Sequence, residues 1–341
     1  MPVPARPMPV SARPMREWLV AADDRTGAFE VAALLTAVVG PITVSVGRAP
    51  DGSGVVDLGS RAATVVAAGD RARSVDDTPS RWTAHKIDST LRGHWAAELS
   101  ARRAATGRRL VLLPGWPEMG RTCVGGQVLV HGEPIGSPLD ALPGAALLAD
   151  ADALRAWLRG SGSMAVCDVP DAVSLSDLAR ELAEADVLLA GPAGPLGAVF
   201  AARLGTRPNV PSPSIAGTAM VVCGSANAVS REQILRLAAA RPDIEIVSAP
   251  AAQGPLHADV AADLAARARG RFESCAPDNL VIIGGDTAAA FLGDAPRRVG
   301  GFAATGMPWS RAADDSGPLV ITKAGGFGDA DALVRLLAEA R

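Results

Sequence analysis

The octet Lys86-Ile87-Asp88-Ser89-Thr90-Leu91-Arg92-Gly93 gathers two cations, a carboxylate and two hydroxyls where an apolar run gives way to a helical pattern. Such a set suits a small polyhydroxylated anion. Arg92 can fork onto a carboxylate, Lys86 adds a compact point charge, and Asp88, Ser89 and Thr90 can bond hydroxyl groups. Ser89 or Thr90 could instead cap a helix expected from residue 91 to about residue 102. His94 and Trp95 on that helix read as packing residues.

Two further polar clusters follow strand-like runs. Asp23 and Asp24 end the apolar segment 18–22, and adjacent residues of an extended chain point to opposite faces. One carboxylate can then face a ligand while the other caps the next helix, expected over 28–38. The stretch 114–122 follows another apolar run, and its Arg121 is either a second anion contact or part of a structural loop. His131 and His257 have no carboxylate partner nearby in sequence and read as structural.

Three times in the last third, an apolar strand runs into a glycine-containing turn and then a helix. The turns are Gly224-Ser225-Ala226-Asn227, Gly284-Gly285-Asp286-Thr287 and Lys323-Ala324-Gly325-Gly326. Glycine lets the backbone approach a phosphate, and free amides at a helix start attract the anion. A single turn of this kind commonly serves chain reversal alone. Three in one domain favour a phosphate site, with Lys323 either neutralising charge or standing solvated at a strand end. None has the spacing of a P-loop or of the dinucleotide fingerprint. Ser230 and Gln233 read as a capping box for the helix after the first turn.

These clusters need an α/β frame. Apolar runs alternate with Ala/Leu-rich helical patterns, which predicts two domains, each with a largely parallel sheet flanked by helices and an active site in the cleft between them. Strands are expected at 64–68, 110–113 and 187–190, and a helix over 174–185 opening on a Ser-x-x-Asp cap. Residues 1–15 hold five prolines and read as a disordered tail, 16–205 as a first domain and 206–341 as a second. Pro208, Pro211 and Pro213 make the connector a candidate hinge.

Composition excludes several classes. A net charge of −3 without long basic runs argues against nucleic acid, and no apolar stretch approaches the length of a membrane span. Four scattered cysteines without paired spacing fit a reducing, cytoplasmic setting better than disulfides or zinc.

Taken in order, Asp23-Asp24-x-Thr26-Gly27-Ala28, Lys86-x-Asp88-Ser89-Thr90-x-Arg92-Gly93, Gly120-Arg121-Thr122, Gly284-Gly285-Asp286-Thr287 and Lys323-Ala324-Gly325-Gly326-Phe327-Gly328 resemble the four-carbon acid sugar kinases from about Trp18 to Leu337. The resemblance implies a sugar-binding first domain, a nucleotide-binding second domain, and ATP-dependent phosphorylation of acids such as threonate and erythronate. It implies that Asp23, Asp24, Lys86, Asp88, Ser89 and Arg92 line the acid site, and that Ser225, Gly284, Gly285, Asp286, Thr287, Gly325 and Gly326 hold ATP with Mg²⁺. A sugar acid and ATP are the partners expected, with a homodimer as the assembly considered. Arg25 stands where the family usually has Leu, an extra charge beside the substrate edge, and the first domain is short for the family. A sensor that binds ligand without turnover is the alternative those departures raise. Asp23-Asp24-Arg25-Thr26 lacks the two-residue spacing of the dehalogenase-like phosphatases, which sets that chemistry aside.

Overall fold

The structure is a computed structural model that describes residues 15–206, 212–250 and 258–340. Residues 1–14 of the expected tail 1–15, part of the proline connector (207–211) and His257 lie outside the described residues. No helix among the described residues is long and apolar enough to cross a membrane.

The chain alternates strand and helix as its apolar periodicity predicts. The first lobe contributes β1 (Arg16–Ala22), β2 (Ile42–Val46), β3 (Gly54–Asp57), β4 (Ser80–Lys86) and β5 (Arg109–Leu112). A small antiparallel sheet follows, made of β6 (Arg121–Val124), β7 (Gln127–Val130) and β8 (Glu133–Gly136). Then come β9 (Ala146–Leu148), β10 (Met164–Cys167) and β11 (Val187–Gly191). The second lobe adds β12 (Ala219–Cys223), β13 (Glu245–Ser248), β14 (Asn279–Ile283), β15 (Arg297–Ala304), β16 (Met307–Ala312) and β17 (Leu319–Lys323).

Fourteen of these strands form one sheet among the described residues, in the order β13-β12-β14-β17-β16-β15-β2-β3-β1-β4-β11-β5-β10-β9. Pairing is parallel within each lobe, apart from the β15–β16 hairpin and its two flanking pairings. The lobes are therefore hydrogen-bonded directly, with Arg297, Arg298 and Val299 opposite Val44, Thr43 and Ile42. Val299 packs into the first lobe's core with Ile42, Val44 and Phe29. The second lobe has its own apolar layers, one around Val221, Val281 and Ile321 and another around Val222, Ile282 and Leu264.

Several local expectations change. Residues 64–68 are not a strand: Thr64 caps the helix Val65–Ser74, and Val65 and Val66 are exposed on it. An apolar run too exposed to enter the sheet is better accommodated as a helix start with a threonine cap. The strand missed nearby is β4, whose buried Thr83, His85 and Lys86 hide its strand character behind polar letters. The helix expected from residue 91 starts only at Trp95, because Leu91 (φ 61°) and Gly93 (φ 86°) lie in the left-handed region. Asp171, not Ser174, caps the helix Ala172–Leu182, accepting a hydrogen bond from the Ser174 amide.

Candidate active site

The sheet's crossovers diverge around β1, which has β3 on one side and β4 on the other. That is a topological switch point, where the carboxyl ends of neighbouring strands open a crevice. The segments following β1, β3 and β4 carry Asp23 and Asp24, Arg61, and the octet Lys86–Gly93 respectively.

Arg61 organises this end of the lobe. Its Nε lies 2.8 Å from Asp23 Oδ2, its Nη1 2.7 Å from Asp24 Oδ2, and its Nη2 3.3 Å from Asp88 Oδ2. Asp24 does cap the helix Arg25–Val39: its Oδ1 accepts from the Gly27 amide at 2.8 Å, and its Oδ2 from the Thr26 hydroxyl at 2.8 Å. Asp23 is fully buried. Burial and the neighbouring Asp24 charge push its carboxyl up to about 6 against the opposing pull of Arg61 and Lys86.

In the octet, Asp88 is the hub. Its Oδ1 accepts from the Thr90 amide and hydroxyl, and Arg92 grips both its oxygens at 3.1 and 2.6 Å. Burial alone would raise this carboxyl, but the Arg92 hydrogen bonds and the Arg61 charge hold it well below the usual carboxylate range. Thr90 therefore serves the turn rather than a helix cap, and Ser89 sits in the same turn. Lys86 is buried, with Nζ 3.7 Å from Glu30, whose carboxyl burial raises in spite of that ammonium. His94 precedes the helix Trp95–Thr106 and bonds the Ala63 carbonyl through Nε2 at 2.7 Å, a packing role as expected.

Arg25 does not charge the substrate edge. Its guanidinium turns inward onto Asp57 at 2.7 Å, and both side chains are buried. The sensor reading loses one of its two supports by this pairing.

The second lobe brings its glycine turns together in the same way, because β12, β14 and β17 are adjacent. A Cβ at Gly325 would collide with the Ser225 hydroxyl, one at Gly224 with Thr287, and one at Gly326 would meet Asn227. Gly284 has φ +110°, a conformation closed to most side chains, and leads directly into the helix Gly285–Leu292. Ser230 and Gln233 are not a capping box: Asn227 caps their helix, while Ser230 bonds the Gly325 carbonyl and Gln233 the Phe327 and Asp329 carbonyls. They brace the third turn from behind. Lys323 is fully buried, its Nζ 3.1 Å from the Ala324 and Gly325 carbonyls, and burial lowers its pKa to about 8.

The two constellations meet. A Cβ on Gly285 would fall 3.1 Å from Asp24 Oδ2 and 3.3 Å from Thr26 Oγ1. Burial and the charge of Asp24 both raise the Asp286 carboxyl, with Arg61 and Arg92 opposing. Arg121 crosses the junction too, with its guanidinium 5.9 Å from the Phe327 ring centroid. Among the described residues, the polar segment after β1 and the glycine turn after β14 thus lie against each other where the lobes meet. Sequence reasoning missed Arg61, which follows an unremarkable Leu58-Gly59-Ser60, and Glu30, one helical turn beyond Thr26.

A two-lobed α/β frame with an acid- and cation-lined crevice facing glycine turns has relatives. Residues 18–141 match the family described as the sugar-binding N-terminal domain, and the resemblance to the four-carbon acid sugar kinases read from the motifs holds. The chain is similar to the D-threonate kinase of Cupriavidus necator, 34% identical over an alignment of 184 residues that covers 48% of this chain and 43% of that enzyme. The match thus spans less than half the length of the curated relative. Among solved structures, a Salmonella typhimurium LT2 protein described provisionally as a tRNA synthase aligns over 94% of this chain and 98% of its own, with TM-score 0.71 and 20% identity. A Haemophilus influenzae protein of the DUF1537 family aligns over 94% and 99%, with TM-score 0.65 and 20% identity. At such identities the likeness is one of fold.

Proposed function

We propose that this protein is an ATP-dependent kinase that phosphorylates a hydroxyl of a small sugar acid of the threonate or erythronate kind. The observation that carries the reading is the apposition of Gly285 and Asp24, which sets a phosphate-type turn against a carboxylate pair flanked by cations. The threonate kinase relative supports the substrate class. On this reading the acid would bind the first lobe, residues 16–205, and the nucleotide the second, residues 206–341.

Lys86, Arg92 and Arg121 would attract the substrate carboxylate, and Ser89 and Asp88 would bond its hydroxyls. Asp24, the carboxylate facing Gly285, would accept the proton of the attacking hydroxyl, with Asp23 behind it in one acid–base pair. The crowding a Cβ would cause at Gly325 and Gly224, the helix start at Gly285 and the buried ammonium of Lys323 all fit a polyphosphate. ATP, when bound, supplies the transferable phosphoryl group. Among the described residues no cluster of three or more His, Cys, Asp or Glu is gathered for a metal, so Mg²⁺ would arrive with the nucleotide and find Asp286 as its protein carboxylate. Most of the rate advantage would come from positioning and charge neutralisation.

The test is ADP release with Mg-ATP across three- to six-carbon sugar acids, including both enantiomers of threonate and erythronate. Release that depends on one acid supports the reading. ATP binding without acid-dependent release from any of them would favour the sensor.

A further inference from the structure

We propose that Arg61 is the positioning residue of this site: three nitrogens of one guanidinium each hold a different carboxylate, and so fix the geometry and charge of the Asp23–Asp24 pair relative to Asp88. The inference rests on the kinase reading for its catalytic consequence, but its core is a statement about charge that holds without turnover.

The anchoring is specific to a guanidinium. Nε, Nη1 and Nη2 diverge in one plane, and each is within 3.3 Å of a carboxylate from the ends of β1 and β4. An ammonium is a point charge that cannot span three acceptors in this arrangement. The backbone holds Arg61 in place as well. The Ser60 and Arg61 amides both donate to the Asp23 carbonyl, at 3.0 and 3.2 Å, and Arg71 reaches back to the Leu58 and Gly59 carbonyls. Gly93, at φ +86°, leaves the necessary space, since a Cβ there would lie 3.2 Å from Asp23 Oδ2 and 3.6 Å from Arg61 Cγ. The Arg61 side chain is only 26% exposed, so this is not a solvated surface cation meeting passing acids.

The charged groups facing the pair are Glu30 from the helix after β1, Asp57 and Arg61 from β3 and its end, Lys86, Asp88 and Arg92 from the β4 end, and Asp286 from the second lobe. Of the cations, Arg92 is already committed to Asp88 and Lys86 lies towards Glu30. Arg61 alone among these three bonds Asp23 and Asp24 directly. Its loss leaves the fully buried Asp23 carboxylate beside a second one, and burial together with that repulsion then favours protonation of Asp23.

The experiment compares wild type, Arg61→Gln and Arg61→Lys by ¹³C NMR of carboxyl-labelled aspartate over pH 4–9 without ligand, and by pH profiles of ADP release with Mg-ATP and threonate. The Asp23 resonance is identified by its absence in Asp23→Asn. In Arg61→Gln its titration is expected to move up by about one unit or more, and the acid limb of turnover with it. In Arg61→Lys the titration stays near wild type while kcat falls about tenfold to 100-fold with the KM for ATP unchanged, because charge is kept and geometry lost. Folded Arg61→Gln with an unmoved titration overturns the inference. Should Arg61→Gln fail to fold, Arg61→Lys decides: wild-type kcat overturns the proposal. Absence of turnover in wild type would sink the kinase reading alone, leaving the titration shift to be judged separately.

Discussion

Gly285 stands against Asp24, so close that a methyl group on the glycine would come within 3.1 Å of the carboxylate oxygen Oδ2. The contact joins a helix start in one lobe to a helix cap in the other. It arises although three antiparallel pairings separate the lobes' parallel strands, so the sheet must twist and curl to return both sets of carboxyl ends to one cleft.

Gly285→Ala should therefore disturb the line between donor and acceptor. Backbone carries the glycine, and Asp24 is held by Arg61, Thr26 and Gly27, so neither side yields freely. We expect kcat to fall about tenfold to 100-fold with melting temperature little changed. Steady-state kinetics with a thermal melt checks this, and unchanged kcat would count against the apposition.

Asp24→Asn separates chemistry from folding. Asparagine caps a helix about as well as aspartate, and the lost Arg61 ion pair is opposed by relief of the charge repulsion on Asp23, so the variant should still fold. Loss of the base should lower kcat by about 100- to 10,000-fold while ATP still binds. Calorimetric ATP binding beside turnover measurements tests both halves.

The pH profile of kcat/KM should be bell-shaped. Asp23 is raised to about 6, chiefly by burial, so it loses its proton and activity rises as pH passes that value. Lys323, lowered by burial to about 8, loses its charge above that pH, and nucleotide capture weakens. The stability consequence has its own sign. A carboxyl raised from 3.8 to about 6 binds its proton more tightly in the folded state, so this contribution is full below about pH 4 and lost as pH rises through about 6. Melts across that window, compared between wild type and Asp23→Asn, should show the difference.

Lys323→Met should act on the nucleotide alone. A buried ammonium held by the Ala324 and Gly325 carbonyls faces the second-lobe turns and lies far along the chain from the acid site. Its loss should raise the KM for ATP about tenfold to 100-fold, with the KM for the sugar acid nearly unchanged. Equal changes in both would contradict the division of labour between lobes.

Much of this was legible in the chain. The glycine turns after β12, β14 and β17 and the acids after β1 announced themselves because strand-end polar residues interrupt apolar runs. Arg61 was not legible, since its role depends on β3 lying next to β1, a long-range pairing that no local pattern encodes. Arg25 misled for the same reason: its partner Asp57 also comes from β3, and that pairing turns the charge into the protein. Ser230 and Gln233 have the letters of a capping box, yet the neighbouring Asn227 is the better-placed cap and leaves them free to brace residues about 95 positions away.

The most direct measurement is ³¹P NMR of the reaction of Mg-ATP with threonate and erythronate enantiomers, run with wild type and Asp24→Asn. The account predicts a new phosphomonoester resonance, growing with ADP for one acid and absent with the variant. Inorganic phosphate as the sole new product, or a phosphomonoester formed equally fast by Asp24→Asn, would contradict it.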